Sequence, residues 1–250
     1  MSTRRQRMNA QRYDRKVIAS ERASDERGAL ELECLRVPYD EWILRSAPTL
    51  TSVSNLAGER PANTAAWAGV AESLELLLGS QTLEKSIPDA MHLDASGSSV
   101  LHAAVARDDN DSALWLVRRF GVRLTSLPSH PARLLPLHLA AAHANIELIR
   151  IMSKFDGRRA SSSRDAAGCT PLHYAAQTGC LAAVRFLVQK TNAHPGVMSN
   201  RGQTPLHVAC LSASEGDDRA QVVGFFVAIL GREATLWTTR DHATPLHCAA

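Results

Sequence analysis

The amino-acid sequence predicts an all-α solenoid of stacked helix pairs joined by short hairpin loops, and three observations carry that expectation. Thr170-Pro171-Leu172-His173 returns as Thr204-Pro205-Leu206-His207 and Thr244-Pro245-Leu246-His247, with looser versions at Leu101-His102 and Leu137-His138. The intervals between equivalent histidines are 36 (His102 to His138), 35 (to His173), 34 (to His207) and 40 (to His247), a period that demands a repeat architecture before any other reading. Alanine is common and aromatic residues make up only 5% of the chain, which favours close-packed helices over β-sandwiches.

The stretch from Asp165 to Lys190 shows one unit most cleanly, and each position has a physical task. Thr170 is placed to cap the first helix through its hydroxyl, and Pro171 sits at the first helical position, where a missing N–H costs nothing. Leu172 faces the core, Ala175 and Ala176 are small enough for the helix to lie close to its neighbours, and Gly179 ends it. Val184, Leu187 and Val188 then form an apolar stripe at helical spacing, which only a stacked neighbour can cover. Gly168 permits the turn between units.

Other copies align on the same ruler. Asp94 to Val117 keeps Gly97, Leu101, His102 and Ala104 with the stripe Leu114, Leu116, Val117, but has Val100 in place of proline. His130 to Ser153 keeps Pro136, Leu137, His138, Ala140 and Ala141, with Ile149 and Met152, and has Ala144 where glycine is usual. Ser199 to Leu230 keeps Gly202, Thr204 to His207 and Ala209 with Val222, Val223 and Phe226, and its polar insertion from Ser212 to Ala220 is expected to bulge between paired helices. Upstream, Asn55, Gly58, Pro61, Ala65, Ala66, Gly69, Leu74, Leu77 and Leu78 fall at the same offsets, so residues 55–80 read as a degenerate repeat with Asn63 in the histidine slot. Ile43 and Leu44 stand one period before Leu77 and Leu78, which makes 29–54 a helical N-terminal cap region. The whole of 55–250 thus reads as about six repeats. The last, from Arg240 to Ala250, stops inside its first helix, and the sequence is accordingly expected to be the N-terminal part of a longer chain or of an incompletely read gene.

Charge is concentrated at the start of the chain. Residues 1–28 carry eight arginines and lysines against four acids, a net +4 that exceeds the +3 of the whole chain. The body is therefore near neutral and lacks the broad basic footprint of a nucleic-acid binder. The tail has no apolar core that would make it a secretory signal; its four acids argue against a transit peptide, and a solvated disordered tail is expected. No run of 18 apolar residues is present, so no membrane span is expected. Cys34, Cys169, Cys180, Cys210 and Cys248 are odd in number and lack a C-x-x-C pair, as in reduced cytoplasmic or nuclear proteins.

The pattern Asp165-x-x-Gly168-x-Thr170-Pro171-Leu172-His173-x-Ala175-Ala176-x-x-Gly179 resembles the ankyrin-repeat family position by position. That resemblance implies that the histidine ring hydrogen-bonds the neighbouring loop backbone, a structural role. Catalytic and metal readings find no support: successive histidines lie one repeat apart, His138 and His143 fall on different helix faces, and no nucleophile elbow, phosphate loop or zinc spacing is present, so no catalytic residue, cofactor or metal is expected. Cys169, Cys210 and Cys248 fill repeat slots as small hydrophobes, and Ser161 to Ser163 with Arg164 is a candidate phosphorylation segment.

In the family, partners meet the concave face built from hairpin tips and inner helices. Transferring those slots assigns Trp67, Arg107, His143, Gln177, Thr178, Arg201, Gln203, Leu211 and Arg240 to a surface that binds another protein. Trp67 and Leu211 would be its apolar anchors; alternatively Trp67 packs against the N-terminal helices and the arginines are simply solvated. The resemblance implies a non-enzymatic interaction module or adaptor, or else the N-terminal regulatory region of a larger acyltransferase, kinase or ion channel. Limited proteolysis is expected to trim residues 1–28 first and leave a helical body; protection of Arg4 to Arg27 would contradict the tail assignment.

Overall fold

The computed structural model describes residues 53–55, 58–79, 82–212 and 217–249, and no strand occurs among the described residues. The basic tail 1–28, the cap region through residue 52 with Ile43 and Leu44, Cys34, and residues 213–216 of the insertion lie outside them. The chain divides into two compact units, Met1–Ala95 and Ser96–Ala250.

The first unit contains the described part of residues 55–80, the stretch expected to form a degenerate repeat. A hairpin turn closes at Asn55, whose backbone N–H donates to Glu59 O at 2.9 Å and whose Oδ1 accepts from the Glu59 N–H at 2.8 Å. Helix α1 (Pro61–Ala68) starts on proline, buries Ala62, Ala65 and Ala66, and stops at Gly69, whose left-handed φ of 72° turns its N–H back onto the Ala65 and Ala66 carbonyls. Helix α2 (Ala71–Leu74) runs into a π-helical stretch, Glu75–Gly79, and together they bury Leu74, Leu77 and Leu78. A further helix, α3 (Leu83–Ala90), fell outside the repeat ruler; an Arg60–Asp89 ion pair of 2.6 Å ties it to the start of α1.

In the second unit, short inner helices alternate with longer outer ones. The chain order is α4 (Val100–Ala106), α5 (Asn110–Phe120), the single turn α6 (Val122–Thr125), α7 (Pro136–Ala142), α8 (Ile146–Ser162), α9 (Pro171–Gln177), α10 (Leu181–Thr191), α11 (Pro205–Leu211), α12 (Asp217–Leu230), a 3₁₀ turn (Arg232–Leu236) and α13 (Pro245–Ala249). Inner helices α4, α7, α9, α11 and α13 pack in sequence, as do outer helices α5, α8, α10 and α12. The alanine pairs Ala140–Ala141 and Ala175–Ala176 are fully buried where inner helices meet, and Leu148, Ile149, Met152, Val184, Leu187, Val222 and Phe226 fill the space between layers. Leu114, Val188 and Val223 of the expected stripes are only half-buried, at the border of the contact. Where glycine is missing after the inner helix, Asp108 and Ala144 adopt φ of 58° and 54°, so the left-handed stop is kept by strain rather than by residue type.

Inner helices α4, α7, α9 and α11 are each joined to the next repeat through their histidine. Nε2 lies 2.8 Å from Leu134 O for His102, 3.2 Å from Ser163 O for His138, 3.1 Å from Gln203 O for His173 and 3.0 Å from Trp237 O for His207. On the other side of the ring, Nδ1 accepts the backbone N–H of Ser99, Leu135, Thr170 and Thr204 respectively, at 3.0–3.3 Å. A carbonyl only accepts and an amide N–H only donates, so these partners select the neutral ring with its proton on Nε2. The expected hydroxyl cap is thereby modified: Thr170 Oγ1 meets His173 Nδ1 at 3.0 Å, and the ring, three residues into the helix, satisfies the cap amide. Asn63, in the histidine slot of the first unit, is buried and its Nδ2 donates to His92 O at 3.4 Å, the same link made with a non-titrating group.

The hairpin loops form a second ladder. His130 N–H donates to Gly97 O (2.9 Å), Ala166 to Ala132 O (2.8 Å), Asn200 to Ala167 O (2.9 Å) and Arg240 to Arg201 O (3.0 Å). Close approach is the reason for glycine at 168: a Cβ there would stand 2.7 Å from the Asn200 backbone nitrogen, and the φ of +77° disfavours any other residue.

Two outcomes follow from this packing. Leu77 is 2% exposed, so Leu77→Asp places an unpaired charge among apolar side chains and is expected to destabilise the fold by several kcal/mol, roughly 3 or more. An unchanged melting curve would show the repeat assignment of 55–80 to be wrong. Burial lowers the His173 pKa from 6.5 to about 4, and burial likewise lowers those of His138 and His207. Between the folded and unfolded values the unfolded chain binds more protons. The stability is therefore complete above about pH 6.5 and is lost as pH falls toward 4, by on the order of 3 kcal/mol for His173 alone. Thermal melts across this range should show His173→Asn, which copies the Asn63 slot, with a shallower pH dependence than the native chain.

Candidate partner-binding surface

Eight of the nine residues assigned to a partner surface lie in the second unit, and the packing of the inner helices sorts them into two rows. Arg107, His143 and Thr178 each follow the last residue of α4, α7 and α9, while Gln177 and Leu211 are the last residues of α9 and α11. Because these helices pack side by side, their ends form one row, drawn together further where Ser212 Oγ donates to Gln177 O at 2.5 Å. Arg201, Gln203 and Arg240 form the other row in the hairpin loops, with Arg240 N–H bonded to Arg201 O.

Burial separates structural from available groups. Arg107, His143, Gln177, Arg201 and Arg240 are exposed, and Leu211 is 51% exposed despite being wholly apolar. Arg107, Arg201 and Arg240 have no ion-pair partner among the described residues. Thr178 is half-buried and spends its hydroxyl on Ala175 O at 3.0 Å. Gln203 contributes its backbone to the repeat joint, accepting from His173 and donating to Ser199 Oγ at 3.3 Å. Trp67 lies in the first unit, half-buried, and its indole N–H donates to Asp94 Oδ2 at 3.1 Å, so only the apolar part of the ring is left uncommitted.

Sequence reasoning missed a stripe between the two rows. Leu139, Tyr174 and Val208 each follow a ladder histidine, and all three are half-buried while the residues beside them are buried. The ring of Tyr174 stands edge-on to His138 at 5.7 Å, and its hydroxyl donates to Asp165 Oδ2 at 2.7 Å. Burial, then that bond to a carboxylate, pushes the phenol pKa up, which keeps the group a donor. The signal was present in the variable residue after each histidine of the motif, which no packing requirement had claimed. The helix-end row carries Arg107, His143, Gln177, Thr178 and Leu211, the loop row Arg201, Gln203 and Arg240, and the half-buried stripe consists of Leu139, Tyr174 and Val208. Among the described residues no group of three His, Cys, Asp or Glu side chains is placed to hold a metal ion.

Comparison with known proteins defines the class. Residues 125–199 match the family model for ankyrin repeats, in three copies, so this stretch of the chain consists of ankyrin repeats. The fold is similar to the ankyrin repeat domain of Bcl-3, a member of the IkappaB family, with a TM-score of 0.63 at 19% identity over 84% of this chain and 86% of that one. It is similar also to an ankyrin repeat domain from Acinetobacter baumannii AYE, with a TM-score of 0.61 at 21% identity over 76% of this chain and 89% of that one. Among curated relatives, a 65-residue stretch, 26% of the chain, is 42% identical to the transient receptor potential channel pyrexia of Drosophila melanogaster. A 112-residue stretch, 44% of the chain, is 32% identical to the human ankyrin repeat domain-containing protein 53. The matched stretches span 6% and 20% of those two proteins.

Proposed function

We propose that this chain is a protein-interaction module that binds another protein through the exposed side of its inner helices and hairpin loops, without catalysis of its own. Ankyrin repeats are generally interaction modules, and the observation that supports this use here is the half-exposed stripe Leu139, Tyr174, Val208. It is bracketed by exposed Leu211 and by arginines without ion-pair partners. The partner is a protein rather than a nucleic acid, since the body of the chain is near neutral. Cytoplasmic or nuclear residence fits the unpaired thiols of Cys169, Cys180, Cys210 and Cys248. Trp67 is assigned to the same task in the first unit.

A second reading is favoured by the local similarity to an ion channel: the repeats would then be the regulatory region of a larger protein, a channel before an acyltransferase or a kinase. No helix among the described residues is long and apolar enough to cross a membrane. Sequencing the transcript past Ala250 separates the two, because apolar spans or a catalytic signature would support the second reading and a stop after one capping repeat the first.

Affinity capture with the 250-residue chain, read by mass spectrometry, tests the surface. Leu211→Asp combined with Arg201→Glu alters two exposed side chains and is expected to leave the melting curve within about 0.5 kcal/mol of the native one. The captured partner should be depleted about tenfold or more, the loss typical of one or two hot-spot residues. Full retention of that partner by the double variant would overturn the surface assignment.

A further inference from the structure

Three departures from the repeat ruler meet at one cavity. The hairpin residue with positive φ is glycine at 97, 168 and 202, but in the repeat between them it is Arg133, held at φ 56° by its N–H bond to Ser129 O at 2.9 Å. A non-glycine residue there is strained; His242, at φ 58°, takes the same slot in the last hairpin, but of the two only Arg133 borders the cavity described next. Helix α8 runs 17 residues where α5 and α10 run 11, and its additional turns bring Arg159 to the same place. Arg164 follows directly, its guanidinium tethered by Nε to Gly168 O at 3.1 Å and by Nη2 to Met198 O, with its remaining N–H donors uncommitted.

Arg133, Arg159 and Arg164 line an open cavity of about 740 Å³ together with Ser163 and Asp165. Neither Arg133 nor Arg159 has an ion-pair partner among the described residues. Asp165 is occupied on both oxygens, Oδ1 by the Cys169 N–H at 2.8 Å and Oδ2 by the Tyr174 hydroxyl at 2.7 Å. The carbonyls at the end of α8, which would repel an anion, are also engaged: Arg159 O accepts from the Ser162 and Ser163 hydroxyls, and Ala160 O from the Ser163 N–H. Three guanidiniums less one carboxylate leave a net charge of +2 around the cavity.

We propose that this cavity is a receptor for a phosphorylated serine or threonine side chain of a partner protein, separate from the stripe and rows described above. A phosphate group carries about −1.5 to −2 at neutral pH with three acceptor oxygens, which matches the net +2 and the three guanidiniums that line the cavity, whereas a single carboxylate would leave a cation unpaired. The exposed, non-helical backbone of the hairpin at Arg133 leaves the cavity open to a bound segment.

The probes are N-acetyl-O-phosphoserine methylamide, its glutamate counterpart, inorganic phosphate and sulfate, titrated into the 250-residue chain while arginine Nε–H signals are followed by NMR. Saturable shifts of Arg133, Arg159 and Arg164 by the phosphoserine probe are expected, with the glutamate probe weaker by about tenfold or more. Arg159→Ala should weaken phosphoserine binding by a similar factor. Arg133→Gly should weaken it as well while raising the melting temperature, because glycine suits the left-handed slot. That opposite movement is one a merely structural arginine would not produce. Leu211→Asp should leave phosphoserine binding unchanged, which keeps this site distinguishable from the partner surface. Equal binding of the glutamate probe or of sulfate, binding of inorganic phosphate alone, linear shifts without saturation, or Arg133→Gly that leaves either affinity or melting temperature unmoved would each overturn the proposal.

Discussion

The imidazole that joins an inner helix to the loop of the following repeat sets the terms for the second unit. One ring satisfies two backbone groups thirty or so residues apart in sequence, an N–H at the start of its own helix and a C=O at the next hairpin. Each such bond contributes only about 1 kcal/mol net, but leaving either backbone group buried and unpaired would cost more than the bond gains. The ring must therefore remain neutral and buried, and the repeat period follows from the length of chain needed to travel out along one helix pair and return beneath the ring. The first unit makes the same joint with Asn63, so the requirement is for a donor of the right reach rather than for imidazole.

That commitment decides where function can reside. The histidines, the alanine pairs and the buried leucines are consumed by stacking, which leaves the residue after each histidine, the helix ends and the loop tips free to vary. Those positions carry Leu139, Tyr174, Val208, Leu211 and the unpaired arginines. The motif histidines, the most conspicuous feature of the chain, are thereby committed to joining one repeat to the next.

Deviations from the repeat are informative for the opposite reason. The hairpin at 129–134 holds one residue more than its counterparts, so Arg133 accepts the left-handed slot, and α8 continues past the point where other outer helices end. The added turns of α8 also stack, burying Ala160 and Ser161, whose hydroxyl donates to Thr191 O at 3.2 Å. Both departures bring guanidinium groups to a cavity whose only carboxylate is already engaged by the fold.

Much of the fold was legible in residue spacing. The period, the proline starts, the alanine pairs and the apolar stripes each reflect a local requirement. The π-helical stretch at Glu75–Gly79, helix α3 and the length of α8 were not legible, because each depends on what lies across a packing contact rather than on the chain's own periodicity. For the surface, the spacing identified helix ends and loop tips as positions without a packing duty, but exposure alone does not make neighbours. Stacking brings residues about 34 positions apart into single rows, pairs Arg240 with Arg201 through their loops, and assembles Arg133, Arg159 and Arg164 around one cavity. Local sequence specifies the repeat because helix caps and apolar stripes are short-range; which side chains share a surface is a long-range outcome, settled when the hairpins and inner helices stack.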